Sequence, residues 1–293
     1  MTSGSEVGVS DENVSGDLSG RVVLITGANT GIGRATAVQL ARRGADLYLA
    51  CRSEERARPV VEQITAITGR RPRFLRLDLA DLTSVRACAL EFLGDDKPLH
   101  VLLNNAGVGG QRGLTASGFE LAFGINHVGH FLLTELLLDR LKDSAPARVV
   151  TVSSDAHFAA RGIDFAAVRR PTASRTGLPE YTVSKLANVV FSQELARRLD
   201  GTGVTTYAVH PGMVASDVWR GVPWPIRPIM KLFMRSTEAG AATSVHCATA
   251  PELAGESGRY YADCAPKEPS EHATTELAEE LWRRSAEWVA DYR

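Results

Sequence analysis

Short, wholly apolar stretches alternate along the chain with longer amphipathic ones. "RVVLIT" (21–26) is β-branched and apolar at successive positions, which predicts a strand buried on both faces. It runs into a glycine-rich turn, after which "IGRATAVQLARRG" (32–44) repeats its apolar residues with helical period. The alternation recurs in "ADLYLAC" (45–51), "PRFLRLDL" (72–79), "LHVLLNNAG" (99–107), "ARVVTVSS" (147–154), "VTTYAVHPG" (204–212) and "RYYAD" (259–263), each a predicted strand. Further helical runs are predicted over 53–68, 81–93, 127–142, 180–200 and 273–292. Strand then helix, repeated without a hairpin signal, predicts an α/β fold. The expected architecture is a single doubly wound domain, with a parallel sheet of about seven strands and helices on both faces. Residues 1–19 are small, polar and acidic and predict a disordered tail; no linker divides 20–293.

Charge and composition narrow the classes of function. The net charge is −1, from 33 basic and 34 acidic residues that are well interspersed, so no basic stripe points to nucleic acid. The longest uninterrupted apolar runs, such as "VVLI" at 22–25, are too short to suggest a transmembrane anchor. The first residues lack the features of a signal peptide, and Cys51, Cys88, Cys247 and Cys264 stand far apart with no CxxC pair. Free thiols and a cytoplasmic location are the expectation. His127 and His130 are three apart but have no acidic or cysteine partner, so no metal site is expected.

Chemistry is expected just beyond the strand ends, because sheets of this kind bind ligands outside their carboxyl edge. After the first strand, "TGANTGIG" (26–33) sets Gly27, Gly31 and Gly33 at the opening of a helix. Glycines there let the backbone approach a pyrophosphate, which the helix N-terminus stabilises. At the end of the second strand an acid would read the 2′-hydroxyl of NAD; the sequence has "ACRS", with Arg52 and Ser53. A guanidinium suits the 2′-phosphate of NADP. In "EYTVSKLANVV" (180–190), Tyr181 and Lys185 lie one helical turn apart. A cation beside a phenol favours the phenolate, so Tyr181 is a candidate acid/base tuned downward by Lys185.

TGxxxGxG, Asp78 in "RLDLAD", "NNAG" (104–107), Asn126, "VSS" (152–154), YxxxK (181–185) and "HPGMVAS" (210–216) occur together and in order. In this the chain resembles the short-chain dehydrogenase/reductase family over residues 20–264. "YLACRS", "INHVGHFLLTELLL" (125–138) and "SGRYYADC" (257–264) look like its retinol dehydrogenase-like branch. The stretch between Ser154 and Tyr181 is longer than in many members and is similar to an insert of that branch. The resemblance implies a Rossmann domain that binds NADPH. It implies cofactor contacts from Gly27, Asn29, Thr30, Gly31, Ile32 and Gly33, from Arg52 and Ser53, and from Asp78 and Leu79. Asn105, Ala106 and Gly107, Tyr181 and Lys185, and Pro211, Gly212, Val214 and Ser216 complete that set. Tyr181 is then the acid/base, and Lys185 lowers its pKa and holds the ribose. Ser154 holds the substrate oxygen, leaving Ser153 structural, and Asn126 positions a water in a proton relay.

The implied reaction moves a hydride between the nicotinamide and the carbonyl or alcohol carbon of a small molecule. A catalytically inactive NADPH sensor and a ketoreductase of specialised metabolism are the alternatives. Residues 213–235, with Trp219, Trp224 and three prolines, predict a lid favouring an apolar substrate. "HVGHFLLTELLLDRL" (127–141) is apolar over more than one stripe, which suggests a homodimer or homotetramer.

Overall fold

The computed structural model of the chain describes residues 17–212 and 236–293. Val214, Ser216, Trp219, Trp224 and the expected lid over 213–235 lie outside the described residues, as do the first sixteen residues of the expected tail. The domain itself starts earlier than residue 20: Leu18 is buried, and its N–H donates to the Arg43 carbonyl at 2.7 Å.

Seven parallel strands form the sheet: β1 (Val22–Thr26), β2 (Asp46–Cys51), β3 (Arg73–Arg76), β4 (Val101–Asn104), β5 (Ala147–Val152), β6 (Val204–His210) and β7 (Arg259–Ala262). An eighth, β8 (Ala265–Lys267), pairs antiparallel with β7. Their order is β3-β2-β1-β4-β5-β6-β7-β8. The order reverses between β1 and β4, and this switch point opens the crevice where an open sheet binds ligands.

Both faces of the sheet are covered, which explains the continuous apolar runs. Val23 and Ile25 of β1 face a core shared with α1 (Gly31–Arg42), α2 (Glu54–Thr68) and α6 (Thr237–Thr249). Val22 and Leu24 face the opposite core, filled by α3 (Leu82–Gly94), α4 (Leu121–Asp143), α5 (Leu178–Arg198) and α7 (Thr275–Trp288).

The structure corrects the expected elements in four places. The strands stop short, so that Asp78, Asn105–Gly107, Ser153–Ser154 and Pro211–Gly212 follow them in irregular backbone at the carboxyl edge. Helix α4 begins six residues early, at Leu121, and widens to a π-type turn over Gly124–Val128. Helix α6, "TEAGAATSVHCAT", was not expected, because its small apolar residues alternate with Thr, Ser and His and leave no amphipathic period. Strand β8 was missed because its hairpin turns on Asp263 and Cys264, with φ of 52° and 60°, where a glycine signal would ordinarily stand.

By length and composition alone α4 could cross a membrane, yet 72% of its apolar window is buried inside the fold. Phe131, Leu132, Leu133, Leu137 and Leu141 all sit in the core, with Phe131 against Phe191 of α5 and Trp282 of α7. The chain's own helices cover much of the apolar surface of α4, while Leu136 and Leu138 stay only partly buried.

Candidate active site

The turn between β1 and α1 is built from glycine geometry. Gly27 and Gly31 have φ of 68° and 55°, and a Cβ on Gly27 would meet the Ala106 Cβ at 2.8 Å. A Cβ on Gly33 would be driven into the Gly27 carbonyl and the Asn105 amide. The turn is locked from beneath. Thr26 Oγ1 accepts from the backbone N–H of Asn105 (3.0 Å) and Ala106 (2.9 Å), while Asn105 Nδ2 donates to the Thr26 carbonyl at 2.7 Å. His130 lies below, with Nδ1 3.0 Å from the Asn126 carbonyl and Nε2 2.9 Å from Thr26 Oγ1. A carbonyl only accepts, so Nδ1 carries the proton and the threonine hydroxyl donates to Nε2. Burial pushes His130 down to about 4 and His127 down to about 3, so both rings are neutral. Among the described residues no cluster suited to a metal ion is present.

The cradle fits a dinucleotide phosphate. Helix α1 has no acidic residue in its first turn, and its N-terminus opens on the crevice beside the glycines. At the end of β2, Ser53 caps α2 by accepting from the Arg56 N–H at 3.3 Å. This sets Arg52 and Arg56 together at the exposed rim, and among the described residues neither guanidinium is ion-paired. Arg56 escaped the sequence reading although it lies four residues after Arg52, at the head of the helix that Ser53 caps. Asp78 is held in a turn, its Oδ1 accepting from Ala80 N–H at 3.0 Å.

At the other end of the crevice Tyr181 and Lys185 are both buried on α5, with the Lys185 Nζ 5.6 Å from the tyrosine ring centre. Lys185 Nζ donates to the Val152 carbonyl at 2.8 Å, and burial alone pushes it down to about 7. Tyr181 departs from the expectation of a lowered phenol. Burial raises its pKa more than the Ser154 hydroxyl, hydrogen-bonded to it, lowers it. The ammonium meant to depress the phenol shares the same dry wall and has itself lost much of its charge at neutral pH. The two serines are distinguished by their partners. Both line the crevice, but Ser153 Oγ donates to the Lys185 carbonyl at 2.7 Å, a structural bond, whereas the Ser154 hydroxyl is directed to Tyr181.

Asn126 is fully buried and does not line the crevice. Its amide clamps Val108 from both sides, accepting from Val108 N–H (2.8 Å) and donating to Val108 O (2.9 Å). It also donates to Ser184 Oγ, which donates in turn to the Tyr181 carbonyl at 2.8 Å. Asn126 thereby ties the segment after β4 to the tyrosine helix.

One crevice of about 360 Å³ brings together Gly27, Asn29, Thr30, Gly31, Ile32, Gly33, Arg52, Ser53, Asp78, Leu79, Asn105, Ala106, Gly107, Ser154, Tyr181, Lys185, Pro211 and Gly212. Its wall adds Val108, Gln111, Ile125 and His210, none of which carried a signal in the sequence beyond lying near a motif. Glycine cradle and phenol–serine pair therefore share one cavity, so a group held at one end can react at the other.

A family model described as short chain dehydrogenase matches residues 21–223. Retinol dehydrogenase 11 of Homo sapiens is 48% identical over 274 residues, covering 90% of this chain and 84% of that protein. Retinol dehydrogenase 12 of Mus musculus is 47% identical over 290 residues, covering 96% of this chain and 89% of that protein. The crystal structure of an uncharacterised protein from Mycobacterium paratuberculosis superposes with a TM-score of 0.77 at 31% identity, covering 94% of this chain and 96% of that one.

Proposed function

We propose, for a chain that belongs to the short-chain dehydrogenase/reductase family in its retinol dehydrogenase-like branch, that it is an NADP(H)-dependent oxidoreductase of apolar carbonyl compounds and their alcohols. Membership of that branch makes it an oxidoreductase acting on CH–OH groups. The observation that carries the finer reading is the single crevice joining the glycine cradle, the two rim arginines and the Ser154–Tyr181–Lys185 cluster.

The cradle of Gly27, Gly31 and Gly33 with the N-terminus of α1 would hold the pyrophosphate of NADP(H), and Arg52 with Arg56 its 2′-phosphate. NADP(H), when bound, supplies the hydride and, once oxidised, a cationic ring. The protein supplies the rest. Ser154 Oγ already accepts the Ala156 N–H at 3.1 Å, so its own proton is directed elsewhere, toward Tyr181 or a substrate oxygen. Ser154 then holds the carbonyl oxygen, and Tyr181 gives it a proton in reduction or removes one in oxidation. Lys185, anchored on the Val152 carbonyl, holds the ribose side of the site, and its amino group stands 5.6 Å from the Tyr181 ring centre, charged below about pH 7. Asn126 uses its amide donors on the Val108 carbonyl and Ser184 Oγ, so a water it positions would be held through an acceptor, either Oδ1 or the backbone carbonyl that His130 also meets.

An apolar substrate is supported by the relatives, whose names denote retinol as the alcohol oxidised, and by the apolar side chains of Val108 and Ile125 in the wall. The test is oxidation of NADPH against ketones and aldehydes graded by size and apolarity. Bulky apolar carbonyls should give the higher kcat/KM. Equal efficiency on a small hydroxyketone and a polycyclic ketone would overturn the substrate class, and no NADPH oxidation with any of them would favour the sensor.

A further inference from the structure

The turn Asp155–Ala159 follows Ser154 directly, and neither Asp155 nor His157 lines the crevice. His157 is wholly buried between two backbone groups. Its Nδ1 lies 2.7 Å from the Ser154 carbonyl oxygen, and its Nε2 lies 3.0 Å from the Ser270 N–H. The carbonyl can only accept and the N–H can only donate, so the ring must be neutral with its proton on Nδ1. Burial holds its pKa below the ordinary histidine value, which keeps that form in place. Phe158 and Tyr260 flank the ring at centroid distances of 4.1 and 4.8 Å. The same turn is tied a second time: Asp155 Oδ1 accepts from Tyr260 OH and from Lys267 Nζ, both at 2.9 Å. Tyr260, Lys267 and Ser270 belong to the β7–β8 hairpin and the segment after it.

We propose that His157 is a positioning residue for the reaction: it hangs the backbone of Ser154 on the segment after the β7–β8 hairpin, so that the serine hydroxyl meets Tyr181 and the substrate oxygen in one fixed orientation. The proposal rests on the reading of Ser154 as the group that holds the substrate oxygen. A serine past a strand end has freedom in its own backbone; here the turn closes on the Ser154 carbonyl through the His157 N–H at 3.0 Å, and the ring, which does not line the crevice, ties that carbonyl onward to Ser270.

The test compares His157→Phe, which keeps an aromatic ring in place and removes both hydrogen bonds, with His157→Asn, which restores a donor near Nδ1. Each is made alone and combined with Ser154→Ala. His157→Phe should lower kcat for ketone reduction on the order of 10- to 100-fold, the scale of a misplaced reacting group, with the NADPH Kd nearly unchanged. His157→Asn should recover part of the loss. In the Ser154→Ala background, measured by single turnover, His157→Phe should cost nothing more. An equal loss in that background, or a Kd that weakens in step with kcat, would overturn the proposal. A second readout needs no turnover: the Tyr181 titration, followed by tyrosinate absorbance against Tyr181→Phe counterparts. It should shift upward in His157→Phe to the position seen in Ser154→Ala, and an unshifted titration also overturns the proposal. Should His157→Phe not fold, His157→Gln is read the same way. If the wild type reduces no carbonyl compound, the proposed function fails while the titration still decides the role of His157.

Discussion

Lys185 is buried with only a carbonyl oxygen for its ammonium, and burial holds its pKa near 7 against an ordinary value of 10.5. Below about pH 7 the folded and unfolded chains are both protonated there, so the fold carries the whole cost of a buried cation. As pH rises from about 7 to about 10.5 the unfolded chain holds the extra proton, and that cost is relieved. Lys185→Met should therefore be more stable than wild type at pH 6, by about 1–3 kcal/mol in a urea titration, with the gap closing toward pH 10. Asn188 Nδ2, 3.0 Å from the Val152 carbonyl, keeps that acceptor satisfied. The same variant should lose turnover, so stability and activity move in opposite directions. Arg52 carries a second prediction. Arg52→Glu should weaken NADPH by about 1.5–3 kcal/mol, the scale of a charged hydrogen bond, and affect NADH less. Wild type binding NADH as tightly as NADPH would contradict the reading of the rim. At this scale the motif residues were legible because most follow a strand end, and Tyr181 and Lys185 lie one turn apart on a helix. The direction of the Tyr181 shift was not, because spacing reports that a cation is near and says nothing of the burial that acts on both groups.

Among the elements, the hairpin β7–β8 combines a cost with a role. Asp263 and Cys264 both hold positive φ, a region that aspartate enters with glycine and asparagine but that costs a residue such as Cys264 about 1–2 kcal/mol. Replacing the pair by Asn-Gly should stabilise the protein by about 0.5–1 kcal/mol in thermal unfolding and leave kcat unchanged, since the turn lies outside the crevice wall. A lower melting temperature would mean that the contact of Cys264 N–H with Thr243 Oγ1, 3.3 Å, depends on the present side chains. Continuous apolar runs and clear helical periods were read correctly from the sequence, as in β1, β2 and α2. Elements with neither escaped it: α6 because its small and polar residues carry no amphipathic period, β8 because its turn lacks glycine, and the first turn of α4 because a π-type widening follows it. The pair Gly27 and Gly33 was legible as a phosphate turn, yet only the fold reveals why alanine fails there. Gly33→Ala would drive a methyl into the Gly27 carbonyl and the Asn105 amide, displacing the turn, and should weaken NADPH by tenfold or more, measured by fluorescence titration.

For the whole molecule, the sheet order decides what the residues can do. The reversal between β1 and β4 opens one crevice, and the chain delivers a glycine cradle to one end and Ser154, Tyr181 and Lys185 to the other. Neither half is a catalyst alone: the cradle without an acid only binds, and the acid without a hydride source has nothing to protonate. The central claim is that Tyr181 supplies the proton in a crevice whose cofactor contacts do not depend on its hydroxyl. It is tested most directly by measuring NADPH oxidation with a bulky apolar ketone in wild type and Tyr181→Phe, alongside the NADPH Kd of each. Loss of turnover by a thousandfold or so, with Kd within about threefold of wild type, is the expected result, because a positioned proton donor contributes roughly 10²–10⁴ in rate and the phenol little contact area. Appreciable turnover in Tyr181→Phe, with NADPH still bound, would contradict the account.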